Sequence, residues 1–339
     1  MIDPAQVAQA AARLAAGGLV AFPTETVYGL GADAENPAAV AAIYAAKGRP
    51  QDHPVIVHLA PGADLGHWAS EIPLPAYQLV DAFWPGPLTL ILKRHSNIPD
   101  AVSGGQDTIG LRCPSHPVAI ALLQAFKEGK GGVAAPSANK FGHVSPTTAQ
   151  HVRDEFHEEV PCVLDGGASQ VGIESTILDL SRLPTHGPVL LRPGHIGADA
   201  IAAVIGQRPR GADAAAPRAS GTLESHYAPV APVALQDTAT LAATLAGQTP
   251  GGVRIAVIHY TDLPSAAVHA HLRLPATPDG YAHGLYAALR AMDASDAALI
   301  LVQTPPQADP WLGVNDRLRR AAHGSAEIAH TLLGGAKSS

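Results

Sequence analysis

The chain has 339 residues, 47% of them hydrophobic, and a formal net charge of -7. That length exceeds one core of ordinary size and points to about two domains, and no run approaches the roughly 18 consecutive apolar residues of a membrane helix. The acidic balance argues against a broad electrostatic grip on nucleic acid, and two distant cysteines, Cys113 and Cys162, give neither a disulfide framework nor a zinc cluster, so a cytoplasmic protein is expected.

The first residues, MIDPAQVAQAAARL, lack a basic leader before an apolar core, so no secretion signal is expected; Asp3 instead caps a helix over 4–16 with Pro4 in its first turn. Strands at 18–22, 54–59, 88–92, 107–112 and 133–136 then interleave with helices at 37–47, 75–83, 117–127 and 147–157. Consecutive strands at 161–164, 175–180 and 188–192 follow, so the reading is an α/β domain over 1–205 whose sheet is mixed and not purely parallel. From Gln207 to Ala219 proline, glycine, alanine and arginine replace periodic apolar residues, which sets a linker at 206–231. A smaller α/β domain over 232–335 carries strands at 253–259 and 298–303 and helices at 280–292 and 314–323.

The segment Phe22 to Gly31, FPTETVYGLG, followed by Lys47-Gly48-Arg49, supplies hydroxyls, glycines and fixed cations together. A tight turn at Gly29-x-Gly31 would bring backbone N–H groups close to an anion that Lys47 and Arg49 neutralise. A plainer reading makes Lys47-Gly48-Arg49-Pro50 a helix end with its favoured cations and a glycine stop. Further polar clusters close strands at Thr108-Ile109-Gly110-Leu111-Arg112, Pro136-Ser137-Ala138-Asn139, Glu174-Ser175-Thr176 and Leu191-Arg192-Pro193-Gly194. Alternation puts Thr108, Gly110 and Arg112 on one strand face, where an arginine is either paired to a carboxylate or open to an anionic ligand. Ser145 has two readings, as a ligand contact or as the cap of the helix that Pro146 begins.

Other chemistries are excluded on pattern. Gly29 to Ala34 matches G-x-G-x-x-A with Asp52 beyond it, yet Asn36-Pro37 starts the helix too late for a dinucleotide turn. No G-x-x-x-x-G-K-[ST] and no G-x-S-x-G occurs, and the 17 histidines form no H-E-x-x-H, so no protein metal site is expected. Lys47, Arg49, Arg112 and Arg192 with hydroxyls at Thr26, Ser137, Ser175 and Thr176 suit charge neutralisation and positioning, which is what nucleotidyl transfer requires.

These motifs, with ESTILDL at Glu174 to Leu180 and His226-Tyr227-Ala228-Pro229, resemble the long, two-domain form of the threonylcarbamoyl-AMP synthases over nearly the whole chain. The resemblance implies a twisted, mixed-sheet YrdC-like domain with a concave cleft, joined by a linker to a smaller Rossmann-like α/β domain. It implies that L-threonine, bicarbonate and ATP become L-threonylcarbamoyl-AMP and pyrophosphate, and that a partner transferase passes the threonylcarbamoyl group to tRNA. Threonine would be held by Thr26, His58, Arg112, Ser137 and Ser175. ATP would meet Lys47, Arg49, His53, Thr108, the backbone at Ala135, Asn139, Ser145, Arg192 and Tyr227, with Mg²⁺ held mainly by phosphate oxygens. Lys47 and Arg49 would stabilise the developing charge, and Tyr227 would belong to a lid. Two positions depart from the pattern. His53 stands where the family often has asparagine, and Ser220 where proline usually precedes the glycine. A carbamoyltransferase and an RNA-binding module are the competing functions, and direct tRNA binding is left open.

Overall fold

The computed structural model describes residues 3–224, 226–248, 252–263 and 268–334; the outermost bounds of the two expected domains, 1 and 335, lie outside them. Asp3 accepts a hydrogen bond from the Ala5 amide and Pro4 fills the first turn, which starts α1 (Pro4–Ala15). The chain continues through β1 (Val20–Phe22), β2 (Gly29–Asp33), α2 (Pro37–Lys47), β3 (Ile56–Leu59), α3 (Leu65–Trp68), β4 (Ala69–Ser70), α4 (Leu74–Phe83), β5 (Leu88–Arg94) and β6 (Thr108–Arg112). Next come α5 (Pro117–Ala125), β7 (Gly132–Ala134), α6 (Ala149–Phe156), β8 (Thr176–Asp179), α7 (Leu183–His186), β9 (Val189–Arg192), α8 (Ala198–Ile205) and β10 (Arg210–Gly211). These strands make one ten-stranded sheet in the order β1-β2-β7-β3-β6-β5-β8-β9-β10, with β4 beside β5. The pairs β3/β6, β5/β8 and β9/β10 are parallel and the others antiparallel, so the sheet is mixed.

Strand alternation gives the sheet two different faces. Leu30, Ala32, Val57, Leu59, Leu90, Leu92, Ile109, Leu111 and Leu178 point to one side and pack with α2, α4 and α6 in the larger core. On the other side α1 and α5 cover Val20, Phe22, Val133 and Ala135 at one end of the sheet. Toward the opposite end Ile56, Ile91, Ile177, Val189 and Leu191 form an apolar floor, against which Ala216 and Ala219 pack. His58, Thr108 and Arg112 alternate onto this second side, between the helical cover and the floor.

Three sequence expectations change here. Gly29 to Asp33 is strand β2, paired antiparallel to β1, and Gly29-x-Gly31 is therefore not a turn. The glycine at 31 answers to packing, since a Cβ there would lie 2.8 Å from both Phe22 Cε1 and Val133 Cγ1. Residues 161–164 join the sheet only through an isolated bridge from Val163 to Ala21. Helix α6 begins at Ala149 with Thr148 as its cap, which frees Ser145 from that duty. Gly48 does stop α2, with φ +61 in the left-handed region.

Contact density divides the chain into one unit of Met1–Phe141 with Ser145–Thr222 and a second of Gly142–Val144 with Leu223–Ser339. The stretch expected as a linker thus divides at Thr222, its first part belonging with the large sheet. The second unit contains β11 (Val233–Gln236), α9 (Thr238–Ala246), β12 (Ile255–His259), β13 (Ala270–Arg273), α10 (Pro278–Asp293), β14 (Leu299–Gln303), α11 (Leu312–Ala321) and α12 (Ala326–Leu332). Its sheet is parallel throughout, in the order β11-β14-β12-β13. Among the described residues no helix is long and apolar enough to cross a membrane.

Candidate active site

The polar string after β1 is buried. Thr26 has no exposed surface, and Glu25 accepts from Arg112 Nη2 at 2.6 Å and from the Ser115 amide at 3.0 Å. Arg112 also donates from Nε to the Gly86 carbonyl at 3.3 Å. Of the two readings for this arginine, pairing to a carboxylate is therefore realised. Its other terminal nitrogen, Nη1, makes no hydrogen bond among the described residues and can still meet an anion. His58 lies directly across from Arg112 in the β3/β6 register, its ring edge-on to Phe22 at 6.1 Å. Burial, with Arg112 adding to it, holds the imidazole down to about 3, so it is neutral, and its Nδ1 is buried without a hydrogen-bond partner among the described residues.

Lys47, at the end of α2, is buried and donates from Nζ to the carbonyls of Ser137, at 2.6 Å, and Asn139. It thereby ties α2 to the loop after β7. Burial first, and Arg49 second, push its ammonium well below the usual lysine value. The loop itself is fixed by the Leu30 amide on the Pro136 carbonyl and the Ala138 amide on that of Tyr28, at 2.8 Å each. Ala135 donates its amide to Ile56, at 2.9 Å. Arg49 reaches the Pro54 carbonyl at 2.9 Å and Ser220 Oγ at 3.4 Å. His53 packs edge-on against Phe141, 5.5 Å between ring centres, and burial lowers its proton affinity.

Around β8 the hydroxyls divide by role. Ser175 Oγ lies 2.8 Å from Thr89 Oγ1 and accepts from Arg192 Nη2 at 3.2 Å. Arg192 also holds the Ser175 carbonyl, at 3.1 Å, and that of Ser220, at 2.7 Å. Thr176 donates to the Ile196 carbonyl and accepts the Ile196 amide, so this hydroxyl holds a turn and is not offered to a ligand. Ser145 donates to Glu174 at 2.6 Å. Ala219 and Ser220 belong to a strap laid on the apolar floor, and with Thr108, Gly110, Ile56 and Gln106 they line the narrow space beneath it. Gln106 anchors this strap by two bonds with the main chain of Arg218.

The fold therefore links Thr26 to Arg112 through Glu25, sets His58 beside Arg112, joins Lys47 to Ser137 and Asn139, and joins Arg49 to Arg192 through Ser220. Tyr227 belongs to the second unit, where its ring meets His226, Tyr286 and the Arg317 guanidinium. Glu25, Glu174, Thr89 and Ser220 are participants that sequence reasoning did not assign. Thr89 shares the alternation that exposed Thr108 and Arg112, and that signal could have found it. Among the described residues no group of three or more histidine, cysteine or carboxylate side chains could hold a metal ion.

Comparison with known proteins agrees along the chain. A family model described as telomere recombination matches residues 12–194, and one described as threonylcarbamoyl-AMP synthase, C-terminal domain, matches residues 196–323. The chain is 38% identical over 332 residues to the threonylcarbamoyl-AMP synthase of Pyrococcus abyssi, covering 95% of each. It is 39% identical over 334 residues to that of Bacillus subtilis, covering 95% of this chain and 94% of the relative. The crystal structure of P. abyssi Sua5 complexed with L-threonine superposes with a TM-score of 0.87 at 37% identity, covering 95% of each chain.

Proposed function

From a chain that belongs to the threonylcarbamoyl-AMP synthase family, we infer that the polar set on the second sheet face binds L-threonine and ATP and makes L-threonylcarbamoyl-AMP and pyrophosphate. The observation that carries this reading is the buried Glu25–Arg112 pair. Glu25 aims a guanidinium whose Nη1 has no partner among the described residues, flanked by Thr26 and His58, and a guanidinium so held suits an amino-acid carboxylate. Ser137 and Ser175 would complete the threonine side. Lys47, Arg49, His53, Thr108, the Ala135 backbone, Asn139, Ser145 and Arg192 would meet ATP, joined by Tyr227 if its segment acts as a lid. The solved P. abyssi relative, bound to L-threonine, supports the amino-acid assignment.

The chemistry balances with this chain supplying charge and position. The threonine amine adds to bicarbonate with loss of water, giving a carbamate; a carbamate oxygen forms the new bond to the α-phosphorus as the bond to the bridging oxygen breaks and pyrophosphate departs. Lys47 and Arg49 neutralise charge on the transferring group. Lys47, whose proton affinity burial depresses, becomes a firmer cation as phosphate charge replaces the carbonyls of Ser137 and Asn139 around it. Mg²⁺ would arrive on the triphosphate, since the described residues offer no cage for it. The neutral His58 cannot compete with Arg112 for an anion, and its Nδ1 is left for the amino acid. The product, a hydrolysable mixed anhydride, calls for a transferase acting on tRNA, and the protein would work in the cytoplasm.

Pyrophosphate release from ATP and bicarbonate, with and without L-threonine, tests the reading. Threonine-dependent release is expected, with its loss in Lys47→Ala and Arg49→Ala. Release that ignores threonine would sink it.

A further inference from the structure

We infer that Thr24 and Thr89 are positioning residues that fix the hydrogen-bond polarity of the amino-acid subsite, making Thr26 an acceptor and Ser175 a donor. The inference rests on the threonine assignment above and extends it to two side chains that have no role there.

Thr24 Oγ1 lies 2.6 Å from the Val27 carbonyl oxygen. A carbonyl can only accept, so the single Thr24 proton is committed to it. Thr24 Oγ1 also lies 2.8 Å from Thr26 Oγ1, and across that contact Thr26 must then donate. The amides of Thr26 and Val27, at 3.2 and 3.3 Å, further hold Thr24 as an acceptor. With its own proton turned inward, the buried Thr26 can offer a ligand only lone pairs.

Thr89 carries the opposite consequence. It is fully buried, and among the described residues its hydroxyl meets one partner, Ser175 Oγ, at 2.8 Å. Two hydroxyls own two protons, and only one of these can lie between them. One proton is stranded in either arrangement; on Thr89, which meets no other group among the described residues, it could never find an acceptor, whereas on Ser175 it is open to a ligand at the subsite assigned above. Thr89 therefore donates, and Ser175 accepts both from it and from Arg192 Nη2 at 3.2 Å. Both Ser175 lone pairs are then occupied, and its own proton has no acceptor among the described residues. Thr89 shares the sheet face of Arg112, since its Cγ2 lies 3.6 Å from where a Cβ on Gly110 would stand.

A subsite built this way matches an α-amino acid in one orientation. The carboxylate accepts from Ser175 and Arg112 Nη1, while an N–H or O–H of the substrate donates to Thr26. The reverse orientation sets lone pairs against lone pairs.

The test is steady-state pyrophosphate release by the full chain with Thr89→Val and Thr89→Ser, read for threonine and ATP separately. Thr89→Val is expected to raise the KM for L-threonine about tenfold, leave that for ATP unchanged, and narrow the preference for L-threonine over L-threoninamide, with Thr89→Ser restoring all three. For Thr24→Val, binding of L-threonine and L-2-aminobutyrate separates the two donors. A narrowed preference identifies the substrate hydroxyl as Thr26's partner, and equal weakening of both identifies the amine. Thermal melting reports folding, and if Thr89→Val does not fold, Thr89→Ala against Thr89→Ser reads the same contrast. Unchanged threonine KM in a folded Thr89 variant, or an equal rise for ATP, overturns the inference while the wild-type reaction stands. Absence of threonine-dependent release from the wild-type chain overturns the functional reading and this inference with it.

Discussion

Gln303 in the second unit and the Arg112 cluster in the first differ in how completely their polar groups are satisfied. In the second unit Gln303, at the end of β14, accepts from the amides of Tyr260 and Thr261 and donates to the hydroxyls of Thr238 and Thr261, all within 3.1 Å. Every valence of that buried amide is used. In the first unit Arg112 Nη1, His58 Nδ1 and one proton of the Thr89–Ser175 pair have no partner among the described residues. Incompleteness alone does not mark a ligand site, since Gln236 Oε1 and Tyr281 Oη in the second unit are also buried without a partner among the described residues; the first-unit groups differ in lying side by side, His58 directly across from Arg112 and Thr89 on the same sheet face.

The largest test of this contrast is Arg112→Ala. It leaves Glu25 buried without its cation, and a loss of about 3–5 kcal/mol in chemical unfolding is expected together with loss of threonine-dependent release. A shift under about 1 kcal/mol would mean that the pair is solvated and the contrast false. Next in size is the titration of His58. Its folded value, about 3, lies below the ordinary 6.5, so the unfolded chain binds more protons between them, and stability falls as pH drops from 6.5 toward 3. His58→Gln should flatten that slope in unfolding curves measured at several pH values; an unchanged slope would show that the ring is accessible. Gly31→Ala, with its Cβ forced to 2.8 Å from Phe22 and Val133, should cost about 1–3 kcal/mol through overpacking, read by thermal melting. Gln303→Ala should cost a similar or smaller amount, about 1–3 kcal/mol, with pyrophosphate release per folded molecule unchanged. A specific loss of activity there would place part of the chemistry in the saturated network.

Much of the first sheet was legible because its strands are apolar runs with single polar interruptions. Thr108, Gly110 and Arg112 declare their shared face by alternation alone. Thr89, between Leu88 and Leu90, follows the same rule but reads as an ordinary strand threonine until Ser175 is seen against it. Gly29-x-Gly31 misleads for a physical reason: small residues serve turns and close strand packing equally, and only the positions of Phe22 and Val133 decide between them. Likewise nothing near Arg112 in sequence announces Glu25, nor near Ser145 its acceptor Glu174. Partners brought together from distant positions in the chain are properties of the topology. The short β11 and β13 escaped for a related reason, since four residues each are too few to display a period.

The strap from Ala216 to Ser220 bears on how affinities for this cleft should be measured. Arg49 and Arg192 already hold Ser220, and Gln106 holds Arg218, so an anion that reaches these arginines competes with the chain's own oxygens. A measured dissociation constant is then the intrinsic one divided by the fraction of molecules whose strap is displaced. Weakening the Gln106 anchor with Gln106→Ala should therefore tighten ATP binding, read by titration calorimetry, and unchanged binding would show that the strap does not compete.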